Sequence, residues 1–384
     1  MPLTATYFAL LPLAIWLYLF FARGNFWQLH EELEPAPLKD WPSVVAIVPA
    51  RNEAETIGRA VTSLAKQEYP GEFFIIVVDD HSADGTADLA RKAAAESNAT
   101  GRISVHLASE LPPGWTGKVW ATNEGIAAAA AKKAPDYFWL TDADIQHAPD
   151  TLRRLVSQTE RDSLDLTSLM VFLRVHTFPE KLLIPAFLYF FLTVYPPHWV
   201  ANPKSSAAAA AGGCLLMRRS ALERIGGMAA VRSEVIEDCA LARTVKQSGA
   251  KILLGLTRSS VSLRGYNSFA GIRDLIARVA FTQLRYSFVV LLGALAGLFV
   301  AYLLPWLLFF AFPGEAWIAV DTTIAMMAAS FVVTVKFYGL SWPWALTLPI
   351  AALFYGYATC VSAVRYWLGR GGLWKGRAQA PLKT

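Results

Sequence analysis

The chain has 384 residues, of which 54% are apolar and 17% charged, with three cysteines and a net charge of +5; its mean hydropathy is +0.36. Cys214, Cys239 and Cys360 show neither metal-ligand spacing nor a disulfide framework, which excludes a stapled secreted domain and points to a reducing setting. Lys and Arg are dispersed, with no basic run interleaved with aromatics, so no nucleic-acid partner is expected. They fit instead the basic flanks of membrane segments facing anionic lipid.

In chain order, Leu3 to Ala22 is apolar and unbroken by charge, close to the roughly 20 residues a spanning helix needs. No basic segment precedes it and no small-x-small cleavage site follows, so residues 1–22 read as an uncleaved anchor. Residues 23–42 are a linker, acidic and proline-rich from Glu31 to Pro42. Val44 to Val48 is a continuous apolar run bounded by prolines, as a strand buried on both faces would be. A helix over Glu55 to Gln67, a strand over Phe73 to Val78 and a helix over Asp84 to Glu96 follow. Further strands are predicted over Ile103 to Leu107 and Tyr137 to Leu140. This alternation predicts an α/β domain, residues 43–286, with a mostly parallel sheet. Its ligands would lie beyond the carboxyl ends of the strands, where the acidic motifs fall.

Leu182 to Val200 is almost wholly apolar. A single span there would separate Asp144 from Glu237 across the bilayer, so residues 182–200 are predicted to lie in the interface, as their prolines, tyrosines and Trp199 also favour. Residues 287–364 hold three further candidate spans, Ser287 to Phe312, Trp317 to Val335 and Trp344 to Val364, before a basic tail, 365–384. The link Pro313-Gly-Glu-Ala lacks Lys and Arg, whereas Arg285, Lys336 and the tail carry them. The positive-inside rule therefore puts the central domain and the tail of this multi-pass protein in the cytoplasm, at the inner (cytoplasmic) membrane. Three spans would leave the tail outside, a parity that the sequence does not resolve.

Asp142-Ala-Asp144 follows an apolar strand. In an extended segment, residues i and i+2 face the same way, so both carboxylates can address one Mg²⁺ or Mn²⁺ ion, completed by phosphate oxygens. Asp79-Asp80 ends another strand; one acid, or Ser82 or Asp84, can cap the next helix, which leaves carboxylates to accept from a uracil imide or a ribose hydroxyl. In Pro49-Ala50-Arg51-Asn52-Glu53, Arg51 can neutralise a phosphate and Glu53 accept from a nucleoside, or the segment is a solvated loop. Glu237-Asp238 opens a helix stopped by Gly249; its dipole would keep Asp238 ionised, as a base for a hydroxyl must be. Arg285 is either a boundary residue or a partner for a leaving diphosphate. His147 is either a third metal ligand or an exposed loop histidine.

Taken in order, Pro-Ala-Arg-Asn-Glu at 49–53, Val-Asp-Asp-His-Ser-x-Asp-Gly-Thr at 78–86, Gly117-Lys118 with Asn123 and Gly125, Asp-Ala-Asp at 142–144, Gly212-Gly213 and Glu237-Asp238 resemble the inverting family 2 glycosyltransferases of the GT-A fold. Gly114-Trp-Thr-Gly-Lys118 and the terminal Trp374-Lys-Gly-Arg377 are similar to the hopanoid-biosynthesis-associated members; ceramide glucosyltransferases are more distant. The resemblance implies that Pro49, Ala50, Arg51, Glu53, Asp79, Asp80 and Lys118 bind the nucleotide sugar, a UDP-sugar by expectation. Asp142 would lie near the sugar or ribose, Asp144 would ligate the metal, and Asp238 would be the general base, with Glu237 and Arg285 assisting. The family's usual Thr-Glu-Asp is Ile236-Glu-Asp here, and the Gln-x-x-Arg-Trp of processive synthases is Thr282-Gln-Leu-Arg285-Tyr286. The missing Gln and Trp argue against a polysaccharide synthase and for one or few sugars added to a lipid. Two alternatives share some of these features. A nucleotidyltransferase is opposed by a first loop without glycine, and an inactive scaffold by the intact acids.

Overall fold

Val44–Ala50 is buried along its whole length and forms the strand β1 at the heart of the α/β unit. In a computed structural model of the protein, residues 2–29, 37–132, 134–311, 317–371, 373–374 and 377–378 are described. Half of the acidic stretch from Glu31 to Pro42, the Pro313 link, the centre of Trp374-Lys-Gly-Arg377 and the last residues of the tail lie outside them. The chain divides into an α/β unit (30–174, 199–265 and 372–384) and a helical unit (1–29, 175–198 and 266–371).

The first helix, α1 (Pro2–Leu17), continues through a wider turn at Tyr18–Ala22. In the α/β unit, β1 is followed by α2 (Ile57–Ala65), β2 (Phe73–Asp79), α3 (Thr86–Glu96), β3 (Ile103–Leu107), α4 (Gly117–Lys132) and β4 (Tyr137–Leu140). Then come β5 (Ile145–His147), α5 (Thr151–Arg161), β6 (Leu166–Phe172), the helical insertion α6 (Phe178–Val194), α7 (Pro197–Ala201), β7 (Leu215–Arg218), α8 (Arg219–Arg224), α9 (Glu237–Gln247) and β8 (Ile252–Ser262). The sheet order is β3-β2-β1-β4-β7-β6-β8-β5. The first four strands are mutually parallel. β7 runs antiparallel to β4 and β6, and β5 antiparallel to β8. All four predicted strands are present, and the sheet is the mixed, mostly parallel α/β type expected.

The core packs Ile57, Val61 and Leu64 of α2 against β1, β2 and the buried Tyr137 and Trp139 of β4. Gly125 of α4 lets that helix close on the other face: a Cβ there would lie 2.6 Å from Ile47 Cγ2 and 2.9 Å from Val78 Cγ2.

The helical unit continues with α10 (Phe269–Ala277), α11 (Ala280–Gln283), α12 (Phe288–Leu298), α13 (Leu304–Ala311), α14 (Trp317–Phe337) and α15 (Leu348–Trp367). Among the described residues, four helical stretches are long and apolar enough to cross a membrane: Phe178–Ala201, Phe288–Ala311, Ile318–Phe337 and Trp342–Trp367. Most of the segment expected at the interface is thus helix α6, which ends before Tyr195-Pro196 and has partners inside its own unit. Tyr189 is buried, with its hydroxyl 2.7 Å from Ser330 Oγ, and Tyr355 donates to Leu183 O over 3.0 Å.

Candidate active site

The site begins where the parallel strands end. The loops after β1 and β2 are knitted together: Asn52 N donates to Ser82 Oγ, Ala83 N to Asn52 Oδ1, Glu53 N to Thr86 Oγ1 and Ala54 N to Asp84 Oδ2. The cap position of α3 is Gly85 in the left-handed region (φ 84°), not Ser82 or Asp84; Asp84 instead accepts from Thr86 N at 3.1 Å. Bonds from Thr86 and from the Ala54 and Thr86 amides outweigh burial and hold the Asp84 carboxyl below its ordinary range. Arg51 lies with Nη1 3.6 Å from Asp80 Oδ2 and donates to Asp80 O, so its charge meets an acid of the neighbouring loop. Asp79 takes the Ser82 amide on Oδ2, while among the described residues its Oδ1 is buried with no hydrogen-bond donor. Buried acceptors are ordinarily satisfied, so this oxygen is a position for a ligand donor.

After β4 the chain turns rather than continuing extended, with Ile145 N donating to Asp142 O at 3.3 Å. This corrects the expectation of two like-facing carboxylates: the turn sends them to different cations. Asp142 Oδ1 lies 2.7 Å from Lys118 Nζ, which also lies 2.6 Å from Glu237 Oε1. Asp144 Oδ2 instead accepts from Arg264 Nε at 2.9 Å. Lys118 was expected at the nucleotide; it stands here between Asp142 and Glu237 at the first turn of α4. Burial alone would lower its pKa, but the charges of Asp142, Glu237 and Asp238 outweigh this and raise it.

Asp238 is held by backbone: Oδ2 accepts from Gly212 N at 2.9 Å and Oδ1 from Cys239 N at 2.7 Å. Gly212 is tightly fitted, since a Cβ there would stand 3.1 Å from Lys118 Nζ and 3.5 Å from Asp238 Oδ2. Burial, then the charge of Glu237, push Asp238 up to about 6, against the pull of Lys118 and of the two amides. Asp238 thus remains a carboxylate at neutral pH, with a pKa nearer the range of a working base than an ordinary carboxyl's.

His147 is neither a metal ligand nor exposed. It is buried, with Nε2 2.8 Å from Thr141 Oγ1 and Nδ1 2.8 Å from Ser260 Oγ. Thr141 gives its proton to Gly213 O, so Nε2 carries the ring proton and Nδ1 accepts from Ser260. Burial pushes its pKa down to about 3. Arg285 belongs to the helical unit, exposed after α11 with φ 53°.

Arg264 went unmarked in the sequence. It lies two residues beyond β8, and only the pairing of β8 with β5 brings it to Asp144. Its Nη2 donates to both Glu53 oxygens, at 2.8 and 3.0 Å. Among the described residues no cluster of three or more His, Cys, Asp or Glu could hold a metal. With Asp142 held by Lys118, Asp144 is the carboxylate left to a hard cation, whose remaining shell would come from a diphosphate.

Residues 45–226 match the family model described as Glycosyl transferase family 2. The chain is 30% identical over 117 residues to a 4,4'-diaponeurosporenoate glycosyltransferase of Staphylococcus aureus, covering 30% of this chain and 28% of that one. It is 33% identical over 144 residues to the succinoglycan biosynthesis protein ExoO of Rhizobium meliloti, covering 36% and 37%. The match thus spans well under half the length of these curated relatives. Among solved structures, a mannosyltransferase, PcManGT, from Pyrobaculum calidifontis in complex with GDP-Man and Mn²⁺ superposes with a TM-score of 0.55 at 17% identity, over 94% of this chain and 99% of that one. That likeness speaks for the fold. Residues 45–226 thus match the glycosyltransferase family 2 model, within an α/β unit whose sheet has the GT-A fold.

Proposed function

We propose that the protein is a membrane-bound inverting glycosyltransferase that moves a sugar from a nucleotide-sugar donor to a hydroxyl of a lipid acceptor. The observation that carries this is Asp238, held by two backbone amides and raised to about 6 by burial and Glu237. Such a carboxylate is ionised at neutral pH yet basic enough to take a hydroxyl proton.

The acceptor hydroxyl gives its proton to Asp238 as it attacks the anomeric carbon from the side opposite the leaving diphosphate, inverting that centre. Lys118 holds Asp142 and Glu237 together, and so fixes the charge around the base. Asp79 Oδ1 accepts from the nucleobase or ribose, which gives the orphaned oxygen its partner. Pro49, Ala50 and Arg51 line the donor side of the β1 loop, with Arg51 and Asp80 in one ion pair. Asp144, with Asp142 beside it by the resemblance, would hold a Mg²⁺ or Mn²⁺ ion, which would neutralise the leaving diphosphate; the solved neighbour contains Mn²⁺ and GDP-Man. Arg285 is assigned a supporting role toward the diphosphate on the resemblance alone.

The four apolar helices support a membrane location, and a relative named for 4,4'-diaponeurosporenoate supports an apolar acceptor. A hopanoid acceptor rests on the Gly114–Lys118 and Trp374–Arg377 resemblance. The inner membrane, with the α/β unit toward the cytoplasm, follows from the positive-inside rule. Residues 182–200 are proposed to receive the lipid.

To test this, membranes with and without the protein are incubated with labelled UDP- and GDP-sugars, and their lipids are read by mass spectrometry. Label in a lipid of inverted anomeric configuration is expected. Label confined to a water-soluble product, or undiminished lipid transfer by Asp238→Asn, would overturn the proposal.

A further inference from the structure

Glu53 and Asp144 are largely buried carboxylates, with side chains 11% and 16% exposed, and both rest on the guanidinium of Arg264. Two such acids are costly without a counter-charge. Arginine suits the task because its planar fork can serve two anions at once.

This pairing is built into the sheet. Leu263 N donates to Asp144 O at 2.7 Å, and Ile145 is in register with Ser262. The backbone carrying Arg264 is therefore fastened to the backbone carrying Asp144. On the other side of Arg264, Gly265 lies so close to Arg174 that a Cβ would stand 2.0 Å from its Nη2. Any rearrangement must be a movement of the Arg264 side chain, which keeps 36% of its surface exposed and can move without opening the core.

The two arms differ. Glu53 receives Nη2 on both oxygens, whereas the Asp144 carboxylate receives Nε on Oδ2. A cation competing for Asp144 has this one guanidinium bond to replace.

We propose that Arg264 is the resident cation of the donor site: it neutralises Asp144 while the donor is absent, and yields it when a divalent cation arrives with the nucleotide diphosphate. This rests on the metal-and-donor reading above. A bare cation must compete with the guanidinium for Asp144. A diphosphate adds negative charge and offers the displaced guanidinium another anion, so cation and nucleotide bind together.

The test is Mn²⁺ binding to the full chain in detergent, read by electron paramagnetic resonance, with and without UDP or GDP. Wild type is expected to bind Mn²⁺ about tenfold more tightly with nucleotide than without, the scale of one charged hydrogen bond. Arg264→Gln should bind nucleotide-free Mn²⁺ about tenfold more tightly than wild type, and lose most of the nucleotide dependence. Arg264→Lys keeps the charge without the fork and should fall between them; it decides the matter if Arg264→Gln does not fold. If both variants bind bare Mn²⁺ no better than wild type while nucleotide-dependent binding persists, the role of Arg264 is overturned and the donor reading stands. If no form binds Mn²⁺ even with nucleotide, both fall.

Discussion

The amide of Gly212 donates to Asp238 Oδ2 over 2.9 Å, so the proposed base is oriented by backbone that a side-chain substitution elsewhere cannot remove. Asp238→Asn keeps the shape of this contact and loses the basic oxygen. Its kcat should fall about 10²–10³-fold, the range typical for one missing electrostatic group. Nucleotide binding, measured by calorimetry, should be retained. Asp144→Ala should lose turnover on the same scale together with Mn²⁺ binding.

The pH dependence carries a sign. With Asp238 raised to about 6, kcat/KM should fall on the acid side as the pH drops through that value. Glu237 raises this pKa, so Glu237→Gln should move the acid limb to lower pH. Lys118 lowers it, so Lys118→Met should move the limb to higher pH. Shifts in the same direction for both variants would remove the electrostatic account.

His147 predicts a stability effect. Its folded pKa is depressed to about 3, below the unfolded value near 6.5. The stability it contributes is therefore complete above about 6.5 and lost as the pH falls toward 3, with a slope of about 1.4 kcal/mol per pH unit. Thermal unfolding of wild type and His147→Asn between pH 7.5 and 4.5 should show the gap between them narrowing on the acid side.

Gly125→Ala tests the packing of α4 on the sheet. The added methyl meets Ile47 and Val78 at 2.6 and 2.9 Å, an overpacking that should cost about 1–3 kcal/mol. The unfolding midpoint should fall, while the dissociation constant for nucleotide changes little.

The half of the sheet nearest the amino terminus was legible because β1 and β2 are unbroken apolar runs and the next two strands are bounded by turns. β6, β7 and β8 were not: Leu166–Phe172 and Ile252–Ser262 carry Thr and Ser on buried positions, and Leu215–Arg218 is only four residues long. That gap explains the misreadings at the site. Asp142 and Asp144 looked alike until a turn gave each its own cation, and Arg264 had no signal until β8 paired with β5. His147 looked exposed because its partner Ser260 lies on the same unread strand.

The helix α6 is inserted between two parts of the α/β unit, and its partners Ser330, Phe331 and Tyr355 come from the last hundred residues of the chain. Cutting the chain after residue 286 to obtain a water-soluble catalytic fragment would keep α6 and strip Tyr189 and Leu183 of their cover. Such a fragment would aggregate through a helix in its middle, far from the cut, unless the outer face of α6 were redesigned with polar residues.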